Sequence, residues 1–332
     1  MPVELSPATA SLAGGAPEGA ADLLRQMWRI RLFENTVMDL FTRGLVRGST
    51  HLCQGQEAVS VGACAALRPS DTMTCTYRGH GAVIAKGAPL DACFGEILGR
   101  AGGLCGGKGG SMHLTDVSVG ALGSNAIVGA HLPISVGAAL TSSYHGRGDV
   151  SVAIFGDGAT NIGAFHESLN MASVWRLPVV FLIENNQYGE YSPLRSTTPI
   201  DRLADRAAGY GMPGEYVDGN DVVAVHAVME AAVARARVGQ GPTLIEADTY
   251  RQVGHSRSDP ATYRPAGELD RWLARDPITL LSDAMRAGGA HPPPEDVERE
   301  AAAEVDAALR RAMDMPEPDP ASRLRDVYGA AA

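Results

Sequence analysis

Between residues 150 and 250, short apolar runs alternate with segments of helical periodicity. The predicted strands are residues 150–155, 178–183 and 242–250, and the predicted helices between them are residues 161–174 and 222–238. This alternation predicts an α/β fold, in which a parallel sheet carries helices on both faces. Ligands of such sheets bind at the carboxyl ends of the strands, so we expect the chemistry just after Phe155, Ile183 and Tyr250.

The flanking segments predict the domain organisation. Apolar residues recur at helical spacing over residues 21–43, and a second helix follows GQEA as far as about residue 67. Residues 99–125 are rich in glycine and poor in periodic apolar positions, so we expect a loop there. The expected units are a disordered N-terminal arm (1–19), one α/β domain (20–285) and a C-terminal helical tail that packs subunits together (286–332).

Charge and composition exclude several classes of partner. Asp and Glu total 38 against 28 Lys and Arg, and this net charge of −10 argues against nucleic acid. No apolar stretch approaches the roughly 18 residues of a membrane helix, so we expect no membrane partner. The N-terminus lacks the pattern of a secretory signal, and the five cysteines form no CxxC pair. We therefore expect a cytoplasmic protein with reduced thiols.

The turn after the first predicted strand carries the first chemical signal. Gly156 and Gly158 flank Asp157, and glycines at a strand-to-helix turn let the backbone approach an anion. The dinucleotide fingerprint GxGxxG does not match, because Ala159, Thr160 and Asn161 follow Gly158. Asp157 would repel a bare diphosphate unless a hard cation lay between them, and Mg²⁺ prefers oxygen ligands together with phosphates. The pattern therefore predicts a metal.

The next strand ends in ENNQYG, at the same edge of the sheet as Asp157. An asparagine amide oxygen and a main-chain carbonyl from this turn would complete an oxygen-only metal site. Asp157 and Asn186 lie 29 positions apart, at strand ends separated by one helix. Together the two turns indicate a site for a metal and a diphosphate.

This GDG…NN pattern resembles the thiamine diphosphate motif. Most of the chain resembles the α subunits of the heterotetrameric thiamine diphosphate-dependent dehydrogenases, the decarboxylating components of the pyruvate, branched-chain 2-oxo acid and acetoin dehydrogenase complexes. The matching segments are STHLCQGQEA (49–58), CTYRGHG (75–81), GGKGGSMH (106–113), NAIVGAHLP (125–133), residues 156–189 and TYRQVGHSRSDPATYR (249–264).

The resemblance implies a role for each matching residue. The side chains of Asp157 and Asn186 and the carbonyl of Tyr188 correspond to the Mg²⁺ ligands. The diphosphate would be held by the backbone of Gly156, Gly158 and Ala159 and by the side chains of Tyr77, Arg78 and Arg251. The catalytic candidates are His255, at the mouth of the cofactor channel, and His51, near the reacting thiazolium. Ala126 and Val128 would receive the aminopyrimidine, although the family usually has glycine where Ala126 stands.

The family further implies partners that this chain lacks. A β subunit would complete an α2β2 heterotetramer and contribute a glutamate that protonates the pyrimidine, and the acyl group would pass to a lipoyl-bearing acyltransferase. The expected donor is a small 2-oxo acid, pyruvate first, with acetoin as the alternative, because residues 254–264 resemble pyruvate-type members and residues 206–219 resemble acetoin-type members. Two other hypotheses stay open: a non-catalytic cofactor-binding subunit and a nicotinamide-dependent dehydrogenase.

Several residues also have simpler interpretations. His51 and His255 could be packing histidines, and Tyr77 and Arg78 could form a surface turn. Lys108, Ser111 and His113 lie in the glycine loop and could order a subunit interface. We expect a structural role for Glu57, His131 and His166, and a surface or packing role for His80, His145, His226 and His291.

Overall fold

The computed structural model describes residues 11–46 and 48–325. The strands are β1 (Thr72–Thr76), β2 (Ala121–Asn125), β3 (Ser151–Gly156), β4 (Val179–Asn185), β5 (Tyr188–Gly189), β6 (Ser192–Pro193), β7 (Gly214–Asp218) and β8 (Thr243–Asp248). The α-helices are α1 (Ala20–Thr42), α2 (Glu57–Ala65), α3 (His80–Ala85), α4 (Leu90–Ile97), α5 (His131–His145), α6 (Gly163–Val174), α7 (Leu194–Thr197), α8 (Val222–Arg237), α9 (Glu268–Leu273), α10 (Pro277–Ala287) and α11 (Pro294–Met313).

Six strands form one parallel sheet in the order β2-β1-β3-β4-β8-β7, while β5 and β6 form a small antiparallel hairpin. In the register of the central strands, Gly156 of β3 pairs with Glu184 of β4, and Glu184 pairs with Ala247 of β8. The carboxyl ends of these strands are therefore level, and the turns that follow them meet at one edge of the sheet.

Side chains of the central strands alternate between two apolar cores. Val152 and Ile154 of β3 belong to the core that also contains residues of α1, α2 and α8, whereas Ala153 and Phe155 belong to the core with α5 and α6. Because successive residues of a strand point to opposite faces, such continuous apolar runs are typical of a sheet that is buried on both sides. The predicted α/β fold with helices on both faces is confirmed.

The predicted loop at residues 99–125 is wrong at its end, because β2 (Ala121–Asn125) is the edge strand beside β1. Its sequence, ALGSN, has no β-branched or aromatic residue, so it gives no strand signal. The sequence patterns also give no prediction of β1, β7 or α5.

Near both ends of the described range, the chain contacts the domain directly. Residues 1–10 of the predicted N-terminal arm lie outside the described residues, and within residues 11–19 the Leu12 amide donates a 2.8 Å hydrogen bond to the Asp221 carboxylate at the start of α8. In the C-terminal part, α11 packs on α1 and α4 of the same chain. Among the described residues, no helix is both long and apolar enough to cross a membrane.

Candidate active site

A cavity of about 340 Å³ opens at the carboxyl edge of the sheet, where the turns after β1, β3, β4 and β8 meet. Most of the residues predicted for the site line it: Tyr77, Arg78, Val128, Gly156, Asp157, Gly158, Ala159, Asn186, Tyr188, Arg251 and His255. The lining does not include His51 or Ala126, both of which belong to the described part of the chain. Glu184 and Asn161 line the cavity although the sequence analysis assigned them no role.

The corner formed by Asp157 and Asn186 presents a buried carboxylate without an ion pair and an amide oxygen without a hydrogen-bond partner among the described residues. Asp157 is 2% exposed and forms no ion pair with any described residue, and burial raises the pKa of its carboxyl to about 6. Hydrogen bonds from the backbone amides of Asp157 and Asn186, and the positive charge of Arg251, limit that rise. The Asn186 amide nitrogen is bound, but its Oδ1 has no partner among residues 11–46 and 48–325. A buried carboxylate beside an orphaned amide oxygen suits a divalent cation that prefers oxygen ligands.

The turn between Asn186 and Tyr188 has an unusual backbone. Gln187 adopts a φ of +77°, in the left-handed region that side chains other than glycine and asparagine disfavour. Its Nε2 donates a 2.6 Å hydrogen bond to Asp248 Oδ1, which ties the turn to the end of β8. The Tyr188 carbonyl accepts a long hydrogen bond of 3.5 Å from Arg251 Nη1. This turn holds two of the three predicted metal-ligand residues, Asn186 and Tyr188, at the cavity.

The glycines after β3 leave room beside the Asp157 corner. Apart from its chain neighbours, a β-carbon on Gly156 would meet no atom of the described residues within 4 Å, and one on Gly158 would lie 3.3 Å from Gly189 Cα. The chain then makes a 3₁₀ turn over Asp157–Asn161 before α6 begins at Gly163. Exposed amides at such a turn, with no side chains in front of them, are suited to anion binding.

Two buried guanidinium groups line the cavity without a carboxylate partner. Arg78 is 6% exposed and Arg251 is 1% exposed, and neither forms an ion pair within residues 11–46 and 48–325. Arg78 donates to the carbonyls of Leu52 and His255, while Arg251 donates to the Glu190 carbonyl at 2.9 Å and to the Tyr263 hydroxyl at 2.6 Å. Burial, together with the neighbouring Arg251 charge, lowers the pKa of Arg78 to about 10. Buried cations normally have counter-charges, so this pair favours an anionic ligand.

An aromatic cluster lies at one side of the site, where Tyr77 and His255 line the cavity and His51 packs behind them. The ring centroid of His51 lies 4.4 Å from that of Tyr77 and 5.0 Å from that of His255. Burial and the nearby arginine charges lower the pKa of His51 to about 3 and that of His255 to about 4. Both rings are therefore neutral at neutral pH. Arg251 Nη1 lies 3.4 Å from His255 Nδ1, and because a guanidinium only donates, this contact assigns the His255 proton to Nε2.

The glycine loop before β2 is organised by a residue that the sequence analysis did not single out. Glu96, fully buried at the end of α4, accepts hydrogen bonds from four backbone amides, those of Cys105, Gly107, Gly109 and Gly110, at 2.6–3.0 Å. A β-carbon on Gly103 would come within 2.6 Å of Glu96, so the glycines let the loop wrap around this carboxylate.

A second buried network holds the far end of the same loop. His80 is fully buried, with Nδ1 at 2.9 Å from Glu34 Oε2 and Nε2 at 2.9 Å from Ser111 Oγ. The Ser111 side chain is thus hydrogen-bonded inside the chain. Of the two positions expected for His80, surface or packed, the structure has the packed one. Glu57, for which we expect a structural role, is fully buried and paired with Arg31.

Fold and cavity together define a protein of the class that binds a metal and a diphosphate at the edge of a parallel α/β sheet. A family model described as dehydrogenase E1 component matches residues 25–321, and the chain belongs to this family. E1 components of this family depend on thiamine diphosphate, typically with Mg²⁺ or a similar divalent metal.

Three relatives illustrate the similarity. The α subunit of acetoin:2,6-dichlorophenolindophenol oxidoreductase of Bacillus subtilis is 45% identical over 312 residues, which cover 94% of each chain. The subunit of the same name from Cupriavidus necator is 45% identical over 92% of each chain. The α subunit of the pyruvate dehydrogenase E1 component of Rhizobium meliloti is 38% identical over 97% of this chain and 94% of the relative. All three are named as α subunits, which implies a second kind of chain in the assembled enzymes.

Proposed function

We propose that this chain is the α subunit of a thiamine diphosphate-dependent dehydrogenase component, and that its cavity holds the cofactor's diphosphate and metal. The observation that carries this proposal is charge complementarity. Within residues 11–46 and 48–325, two buried guanidinium groups that form no ion pair lie in the same cavity as a buried carboxylate that forms no ion pair. A diphosphate bridged to a divalent cation would satisfy both sets of groups at once.

Different residues would bind the metal, the diphosphate and the aminopyrimidine. The metal would be bound by Asp157, by Asn186 Oδ1 and by the Tyr188 carbonyl, and the diphosphate by the backbone of Gly156, Gly158 and Ala159 and by Tyr77, Arg78 and Arg251. Val128 lines the cavity and would contact the aminopyrimidine, with Ala126 beside it in the chain. When bound, the cofactor supplies the nucleophilic carbon that protein side chains lack.

The histidines would serve the reacting end of the site. With its proton on Nε2, neutral His255 can donate a hydrogen bond to a polar group in the cavity, while Arg251 holds its Nδ1. His51 packs against Tyr77 and His255 and would fix the positions of both rings. The lowered pKa values keep positive charge off both rings at neutral pH.

The proposed donor is a small 2-oxo acid or acetoin. Both pyruvate and acetoin enzymes occur among the relatives, and the 45% identity to two acetoin oxidoreductase subunits gives acetoin its specific support. In either case the acyl group would pass to a lipoyl-bearing acyltransferase, after assembly with a β subunit in the cytoplasm.

Two measurements test the proposal. Titration calorimetry of the chain assembled with its β subunit should show thiamine diphosphate binding that requires Mg²⁺, and no binding of NAD under the same conditions. The complex should then reduce 2,6-dichlorophenolindophenol with pyruvate or acetoin, and comparison of the two rates selects the donor. Binding of NAD instead would overturn the proposal, and Mg²⁺-dependent cofactor binding without turnover of either donor would identify a non-catalytic subunit.

A further inference from the structure

The Asn186 amide is held in one orientation by a residue outside the cavity lining. Its Nδ2 donates a 3.0 Å hydrogen bond to Gln56 Oε1. Both side chains are buried, with Gln56 fully inaccessible and Asn186 7% exposed. This bond occupies the donor end of the amide and leaves Oδ1 without a partner among the described residues.

The backbone around Gln56 is held by hydrogen bonds and close packing. It is the residue before α2, and its amide donates a 3.0 Å hydrogen bond to the Cys53 carbonyl. The preceding Gly55 has a φ of +92°, and a β-carbon there would lie 2.5 Å from the Tyr250 carbonyl. The Thr249 hydroxyl donates to the Gly55 carbonyl at 3.1 Å, so the turn that carries Gln56 is tied to the end of β8.

Glu57, the residue after Gln56, also stabilises this turn. Glu57 is fully buried, and its carboxylate accepts a 2.9 Å hydrogen bond from the Gly55 amide while pairing with Arg31. Neither Gln56 nor Glu57 lines the cavity that Asn186 and Asp157 line. The Gln56 side chain therefore reaches that site through its hydrogen bond to Asn186.

We propose that Gln56 is a positioning residue, which turns the Asn186 amide so that its oxygen, and not its nitrogen, faces the divalent cation. This inference rests on the proposed function. An amide has one acceptor end and one donor end of nearly equal shape, and a rotation of 180° would point Nδ2 at the cation. Only the oxygen can be a ligand, so a Gln56 amide that presents Oε1 to Asn186 Nδ2 selects the competent orientation. Gln56 Nε2 has no hydrogen-bond partner of its own among the described residues.

The chain offers a matched control in Gln54. Gln54 is also buried, at 5% exposure, and its side chain is also paired with an asparagine, because Nε2 donates a 2.8 Å hydrogen bond to Asn35 Oδ1. Asn35 belongs to α1 and does not line the cavity. Gln54→Met and Gln56→Met therefore remove the same chemical group from the same turn, and only the second loses the contact with Asn186.

The experiment measures Mn²⁺ affinity by electron paramagnetic resonance, at saturating thiamine diphosphate, on the full-length chain assembled with its β subunit. Loss of an outer partner of a metal ligand typically weakens metal binding 10–100-fold, so Gln56→Met should raise the Kd at least about tenfold. Gln54→Met should bind Mn²⁺ like the wild type. Gln56→Glu, whose carboxylate still accepts from Asn186 Nδ2, should stay within about threefold of the wild type.

A second comparison separates orientation from general packing. In an Asn186→Asp background the two ligand oxygens are equivalent, so orientation no longer matters and Gln56→Met should change the Kd by less than about twofold. Gln56→Leu replaces Gln56→Met should the latter fail to fold, as judged by circular dichroism. An unchanged Kd in Gln56→Met, or equal losses in Gln54→Met and Gln56→Met, would overturn the positioning role. Absence of Mn²⁺ binding in the wild type would instead overturn the proposed metal site itself.

Discussion

The imidazole rings of His51 and His255 lie edge to face, with their centroids 5.0 Å apart. Each ring is also close to the charges of Arg78 and Arg251, which act with burial to keep the pKa of both histidines low. A proton added to either ring in the folded chain would therefore be repelled by two guanidinium groups.

This arrangement predicts a specific dependence of stability on pH. The pKa of His51 is about 3 in the folded chain against 6.5 for the ordinary side chain, so between these values the unfolded chain binds the proton and the folded chain does not. The His51 contribution to stability should be complete above pH 6.5 and decrease as the pH falls towards 3. In His51→Gln, urea unfolding at pH 7, 6 and 5 should show a smaller loss of stability than in the wild type. The exposed residue His145 provides the control, since His145→Gln should retain the wild-type slope; equal slopes in wild type and His51→Gln would contradict the prediction.

Removal of the Asp157 carboxylate should abolish Mg²⁺-dependent cofactor binding while the chain remains folded. Burial raises the pKa of this carboxyl to about 6, so at pH 8 the metal-free chain carries a buried charge at a cost in stability. We expect the thermal midpoint of metal-free Asp157→Ala to be at least that of the wild type, and calorimetry to detect no cofactor binding. Asp205→Ala, which removes an exposed carboxylate from the 3₁₀ helix Leu203–Tyr210, should bind like the wild type. Wild-type affinity in Asp157→Ala would show that this residue is not a ligand.

Gly156→Ala should separate cofactor binding from folding. Beyond its chain neighbours, the new methyl group would meet no atom of residues 11–46 and 48–325 within 4 Å, and the backbone has a φ of −77°, so the fold accommodates alanine. The methyl group would nevertheless occupy cavity space proposed for the diphosphate. We expect an unchanged urea midpoint and a cofactor Kd raised at least about tenfold, since even about 1.4 kcal/mol of steric cost has that effect. Gly209→Ala, another glycine with open space around it, should change neither quantity, and a Gly156→Ala variant with normal affinity would place the diphosphate elsewhere.

At Gln187, substitution by glycine should destabilise the chain less than substitution by alanine, although glycine is usually the more destabilising of the two. Gln187→Ala keeps the left-handed backbone but loses the hydrogen bond to Asp248, so it should destabilise the chain by about 2 kcal/mol. Gln187→Gly loses the same hydrogen bond but relieves the backbone strain, which amounts to about 1–2 kcal/mol. The glycine variant should therefore be the more stable of the two in urea unfolding. Should the alanine variant prove at least as stable, the left-handed turn is not strained.

The central part of the fold was predictable because its strands are continuous apolar runs bounded by turn residues. By contrast, β1 reads TMTCT and β2 reads ALGSN, and both owe their place in the sheet to backbone pairing with neighbours that are distant in the sequence. Short strands with few branched apolar residues give little local signal.

The same distinction applies to the site. Asp157 and Asn186 were predictable because each follows a recognisable strand, and parallel strands bring their carboxyl ends together. Gln56 was not singled out, because it meets Asn186 across 130 positions and has no chemistry of its own that a pattern could reveal. The position of Glu184 in the cavity was not predictable either. Nothing in ENNQYG distinguishes a carboxylate that lines a cavity from one that points into solvent.

The carboxylate of Glu96 gives the glycine loop a property that neither its length nor its composition suggests. Four amides spread over residues 105–110 depend on one side chain, and these contacts form or break together because they share the same two oxygen atoms. The loop therefore keeps one defined backbone conformation only while the Glu96 carboxylate is in place. Loss of this single side chain would free all four amides at once and leave the whole segment without a fixed path.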